Sequence, residues 1–165
     1  MQPVRKPTES HERFGSPQQF LEHWQGHRRL TRKVIEAFPE KELKTFRIGE
    51  MRPFALMAAE LLDIAGPGLK EIVTGNGKPF SEAHQAPANK EELLRLWDEA
   101  TVEIDTWFPK ISAGRFQEEL VLFGQYPGTI RSHLNYFLDN EVHHRGQGYV
   151  YLRALGIEPP FFWER

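Results

Sequence analysis

The chain has 165 residues, 39% of them apolar, with twelve Phe and four Trp, and a formal charge of −2. That is enough for one domain with a sizeable core, and the lack of a basic excess argues against nucleic acid as a partner. With no cysteine, disulfides, thiolate metal sites and a cysteine nucleophile are excluded, so any thiol chemistry requires a thiol cosubstrate.

Residues 1–15 are polar and rich in Pro, Glu and Arg, and read as a flexible arm ahead of a single domain over 16–165. The opening stretch has no apolar signal core and no later run is long and apolar enough to span a bilayer, so the expectation is a soluble cytoplasmic protein without a membrane partner. Ser16 and Pro17 open the first helix as N-cap and first helical residue. Phe20, Trp24, His27, Thr31, Val34 and Phe38 follow at helical spacing, and Pro39 ends the run. His23 and His27 are four apart, a spacing that also serves helical two-histidine metal sites.

Lys41–Phe46 reads as a short polar link. A second bundle helix is expected from near Gly49 to about Ile64, with Met51, Phe54, Ala55, Ala58, Ala59 and Leu62 buried, and a break at Gly66-Pro67-Gly68. Residues 75–88 form a long irregular connection between the second and third bundle helices, and His84 within it is expected at the surface. Asn89 and Glu92 pair as a cap for the third helix, which Pro109 stops. ELVLF at 119–123 reads as a short strand or an extended crossing, followed by turn chemistry up to Gly128.

Thr129 caps the last helix, which Gly156 and the prolines at 159 and 160 terminate. On a helical projection Phe137, Glu141, Gly148, Leu152 and Leu155 share one line, and His133, Asn140, His144, Gln147 and Tyr151 share the next. An apolar stripe beside a polar one predicts a helix lining a cavity inside a bundle. Asn140, His144, Gln147 and Tyr151 are the candidate ligand-binding residues. Glu141, which needs a partner such as Arg145 if buried, and His27 on the first helix join them. The tail Phe161-Phe162-Trp163 is too aromatic to leave in water, and is expected to pack on the bundle or on a second subunit.

The run HHRGQ at His143–Gln147, followed by YLRALGI and a double proline, resembles the last bundle helix of the DinB-like (DinB/YfiT) superfamily. The likeness implies an all-α four-helix bundle extending from about Phe20 to Gly156, often a homodimer. It further implies a divalent metal, zinc or nickel, held by three histidines, which some members use for thiol-dependent transfer or isomerisation. In that pattern a histidine stands four residues before the second His of HHRGQ, and another lies early in the second helix. Those positions here are Asn140 and Phe54, which leaves His144 as the one matching ligand. The favoured reading is therefore a family member with a depleted metal site, binding a small molecule in the bundle cavity. One alternative is a metal-dependent hydrolase or thiol-dependent transferase in which His27, Glu141 or His133 joins His144. The other is a non-catalytic dimeric interaction protein.

Overall fold

Ser16 caps the first helix, α1 (Pro17–Ala37), in the computed structural model, which describes residues 15–76, 80, 81 and 83–165. Its Oγ accepts from the Gln19 backbone N–H at 3.1 Å, and Gln19 Oε1 accepts from the Ser16 N–H at 2.7 Å. This reciprocal box satisfies two donors that a helix start otherwise leaves open. The expected N-terminal arm lies, apart from Gly15, outside the described residues.

Three further long helices complete the bundle. They are α3 (Phe54–Thr74), α4 (Lys90–Trp107) and α5 (Ile130–Ala154), with a short α2 (Glu40–Thr45) between α1 and α3. Helices α1 and α3 each pack against both α4 and α5, so the four long helices form a ring in the order α1, α4, α3, α5. The fold is the expected all-α bundle. No helix among the described residues is long and apolar enough to cross a membrane. The caps at Asn89 and Thr129 also form, accepting from Glu92 N at 2.8 Å and from Ser132 N at 3.1 Å.

Four local expectations need correction. The polar link at 41–46 is mostly the single-turn-plus helix α2, which the buried Leu43 anchors to the core. The second bundle helix starts later than expected, at Phe54, because Gly49 adopts φ +58° and turns the chain before it. That helix also runs through Gly66-Pro67-Gly68 to Thr74. Pro67 removes one backbone hydrogen bond, at a cost of about 3 kcal/mol. Burial of Ala65, Leu69 and Ile72 on the far side offsets that cost. The two glycines are packing residues: an added Cβ at Gly66 would meet Glu103 Oε2 at 2.6 Å, and one at Gly68 would meet Phe137 Cζ at 2.5 Å. Finally, His84 is not a surface side chain; its Nδ1 lies 2.7 Å from Asp63 Oδ2 and the ring packs near Phe80.

Between α4 and α5 the chain makes two 3₁₀ turns and a hairpin, β1 (Glu119–Leu122) antiparallel to β2 (Tyr126–Thr129). One core cluster, around Trp24, Ile64, Leu69, Ile104 and Phe137, lies at the hairpin end. A second, around Phe38, Phe54, Trp97 and Tyr151, lies at the other. After α5 the tail crosses α1: Lys33 Nζ donates to the Glu164 carbonyl at 3.2 Å, and a Cβ on Gly26 would meet Arg165 Cβ at 3.2 Å. The rings of Phe161, Phe162 and Trp163 do not bury on the bundle. They stay 48%, 64% and 61% exposed, because the tail docks through its backbone and Arg165.

The two glycines of α5 therefore differ. Nothing lies within 4 Å of a Cβ built on Gly146, whereas one on Gly148 would meet the Phe54 ring at 2.6 Å. Phe54 cannot yield, being fully buried and stacked on Phe38 at 4.9 Å. In urea denaturation Gly146→Ala is expected to raise stability by about 0.5–1 kcal/mol through helix propensity. Gly148→Ala is expected to lower it by about 1–3 kcal/mol through overpacking.

Candidate functional site

The polar stripe of α5 faces α3. There the carboxylate of Glu60 collects three side chains. Asn140 Nδ2 donates to Glu60 Oε1 at 3.1 Å, His144 Nε2 stands 3.2 Å from the same oxygen, and Arg52 Nη2 donates to Oε2 at 2.5 Å. On its other side His144 Nδ1 lies 3.0 Å from Gln147 Oε1, so both ring nitrogens are engaged. Tyr151 is fully buried and donates from its hydroxyl to the Arg52 carbonyl at 2.9 Å, which ties α5 to the loop that carries Arg52. The Glu60 carboxyl is held well below the usual carboxylate range. The hydrogen bond with His144 is the main cause, and Arg52 and Asn140 add to it against the opposing effect of burial.

Sequence reasoning brought Asn140, His144 and Gln147 to one place but missed Glu60 and Arg52. Phe54, the residue aligned with a family ligand, packs against Gly148 instead of facing His144. The missed signal was present: Glu60 is the one charge in the apolar run FALMAAELL at 54–62, and a carboxylate on a buried helix face requires a partner.

Glu141 and His27 belong to a separate network on the α1 side of α5. Thr31 Oγ1 donates to Glu141 Oε1 at 2.6 Å and Trp24 Nε1 reaches Oε2 at 3.4 Å. Two guanidiniums flank the same carboxylate, Arg28 Nη1 at 3.7 Å and Arg145 Nη1 at 3.9 Å. Arg28 also spreads over the Trp97 ring at 3.6 Å and donates to the Trp97 carbonyl at 3.0 Å. Arg145 Nη2 faces His27 Nδ1 at 2.7 Å and Arg165 Nη1 faces its Nε2 at 3.0 Å, with His23 Nε2 3.2 Å from that same nitrogen, so the ring is set between two guanidiniums. The His27 pKa is pulled down to about 3, first by burial and then by Arg145, His23 and Arg165. Every member of this network is held by another, which is how a structural ion pair is built.

A chamber of about 340 Å³ opens along the α3–α5 seam, next to the Glu60 cluster. Ile64, one helical turn beyond Glu60, and Phe137 and Tyr136, one turn before Asn140, form part of its wall. The hairpin and Phe80 close the remainder. The Tyr136 phenol is pushed up, first by burial and then by the charge of Glu60, with Tyr126 adding to both. Its hydroxyl thus feels the field of the cluster.

Four long helices packed in a ring make this protein a four-helix bundle. The chain belongs to the DinB family, whose model matches residues 10–164. Two solved structures share the fold. A DinB-like protein from Bacillus subtilis superposes with a TM-score of 0.72 at 22% identity, covering 89% of this chain and 99% of that one. A DinB-like protein from Bacillus cereus ATCC 10987 gives 0.73 at 14% identity, covering 88% and 97%. No curated protein matches this chain.

The residues do not fit the three-histidine metal centre that the resemblance implied. The donors brought together are one imidazole, one amide and one carboxylate, and Arg52 already neutralises the carboxylate. Among the described residues, no three His, Cys, Asp or Glu side chains are grouped so as to hold a metal ion. Zinc and nickel need three or four good donors around an open centre, not around a guanidinium.

Two measurements check the electrostatics. Glu141→Gln leaves two buried guanidiniums without their counter-charge and is expected to cost about 3–5 kcal/mol of stability in urea. For His27 the folded pKa lies below the unfolded value of about 6.5. Unfolded chains therefore bind the extra proton first, and stability is lost as pH falls from about 6.5 towards about 3. His27→Gln should flatten that part of the stability–pH curve; an unchanged slope would show that His27 is not the group responsible.

Proposed function

We propose that this protein is a metal-independent, small-molecule-binding member of the DinB family. Its ligand sits in the α3–α5 chamber, and the Glu60, Asn140 and His144 cluster stands behind the wall that Ile64, Tyr136 and Phe137 form. One observation carries the reading: Asn140 and His144, the two α5 positions that the resemblance matches to metal ligands, both bond to Glu60, whose charge Arg52 already neutralises. A guanidinium there does the electrostatic work of a cation while leaving the neighbouring cavity open. The chamber's size lies at the lower end of the range for small-molecule sites, roughly 300–1,000 Å³.

In this reading Glu60 and His144 are positioning groups. Their mutual hydrogen bond and the one from Asn140 tie α3 to α5 one turn away from Ile64, Tyr136 and Phe137, and so fix the spacing of the chamber wall. The test is a thermal-shift screen of small neutral molecules on untagged protein, with and without a chelator. A hit at 100 times its Kd is expected to raise the Tm by about 5–10 °C. The shift should saturate, survive chelation, and require at least tenfold more ligand in the His144→Ala and Asn140→Ala variants. Stabilisation that vanishes with the chelator and returns with zinc would defeat the reading in favour of a working metal centre.

A further inference from the structure

We infer that the chamber takes a planar, uncharged aromatic molecule of one or two fused rings; this rests on the cavity-binding reading above and adds the class of ligand. The walls are rings. Phe80 and Phe123 lie nearly parallel, centroids 5.1 Å apart at 20°, and Tyr126 meets Phe80 edge-on at 6.3 Å and 74°. Phe137 supplies the floor from α5. Such surfaces favour a guest with a π face, which can stack or present an edge, over a puckered ring of equal size.

Charge selects further. Among the described residues, none that lines the chamber is Asp, Glu, Lys or Arg. An ionised guest would lose its hydration with no counter-ion to replace it. Hydrogen bonding remains available, however. The imidazole of His133 is buried, and its Nε2 stands 3.5 Å from the Leu120 carbonyl, at the outer limit of a hydrogen bond. A hydroxyl or ring N–H on the guest can improve on that contact. As for size, an apolar cavity of roughly 150 Å³ holds benzene, and this chamber is about twice that.

The backbone gives an independent reason to regard the ring wall as built for this purpose. Phe123 has φ +55°, a left-handed conformation that side chains other than Gly, Asn or Asp rarely adopt. It is held there by its own N–H, which donates to Glu71 Oε1 on α3 at 2.8 Å. Gly124 beside it, at φ +67°, shows that the loop already contains a residue suited to that geometry. The fold maintains a strained Phe and thereby fixes a flat ring against the chamber.

Isothermal titration of the full chain with 2-naphthol and with its saturated counterpart decahydro-2-naphthol tests the inference. The expected result is saturable binding of 2-naphthol, at least tenfold tighter than that of the saturated alcohol. Phe123→Gly, which suits the left-handed backbone while removing the ring, should weaken 2-naphthol at least fivefold. Tyr126→Ala, at a half-exposed position, gives the same readout should the glycine variant not fold. Equal affinity for the two alcohols overturns the aromatic class while leaving the cavity-binding reading in place. Binding of neither removes both. Binding of 2-naphthol unaffected by either variant overturns the location.

Discussion

The rotation of α5 is set by one buried carboxylate. Trp24, Arg28 and Thr31 stand at successive turns of α1 and meet Glu141, with Arg145 one turn further along α5. A charge so placed has a single low-energy orientation, since any other leaves it or its guanidinium partners without compensation. With Glu141 turned to α1, helical geometry carries Asn140 and His144 round to the opposite flank, towards α3. The apolar line between them, Phe137 and Leu152, then fills the bundle centre. Ion pairs of this kind add little net stability compared with apolar packing, but they determine which way a helix faces.

That rotation places the polar stripe opposite α3, whose answer is an acid already matched by a base. Arg52 comes from the loop just ahead of α3 and is steadied through its carbonyl by Tyr151. The same α5 stripe thus supplies two hydrogen bonds to Glu60 and positions the loop that neutralises it. His144 and Asn140 thus meet a carboxylate whose charge Arg52 neutralises. In the opposite direction the stripe continues into the chamber through His133.

Much of the architecture was legible because its causes are local. Ser16, Asn89 and Thr129 cap the helices they announce, since the residues that satisfy a helix start are its own neighbours in sequence. The two stripes of α5 were equally readable from period alone. The continuation of α3 through Gly66-Pro67-Gly68 was not, because the side chains that occupy the space above those glycines, Glu103 and Phe137, come from α4 and α5. Local breaker chemistry lost to tertiary packing there. Asn140 and His144 were placed in the site from spacing. Phe54 was expected in the core and lies there; Glu60 was overlooked, since its partners Arg52, Asn140 and His144 come from a loop and another helix.

Pro67 carries a mechanical consequence. Its missing N–H leaves the α3 ladder one rung short between the segment bearing Glu60 and the segment bearing Glu71. The first segment holds the polar cluster; the second, through Glu71, holds the hairpin loop. A helix bends most easily where such a rung is absent. The two sides of the chamber are therefore mounted on either side of a built-in joint, so that a small flexion of a single rod would change the width of the opening without disturbing the packing at either end.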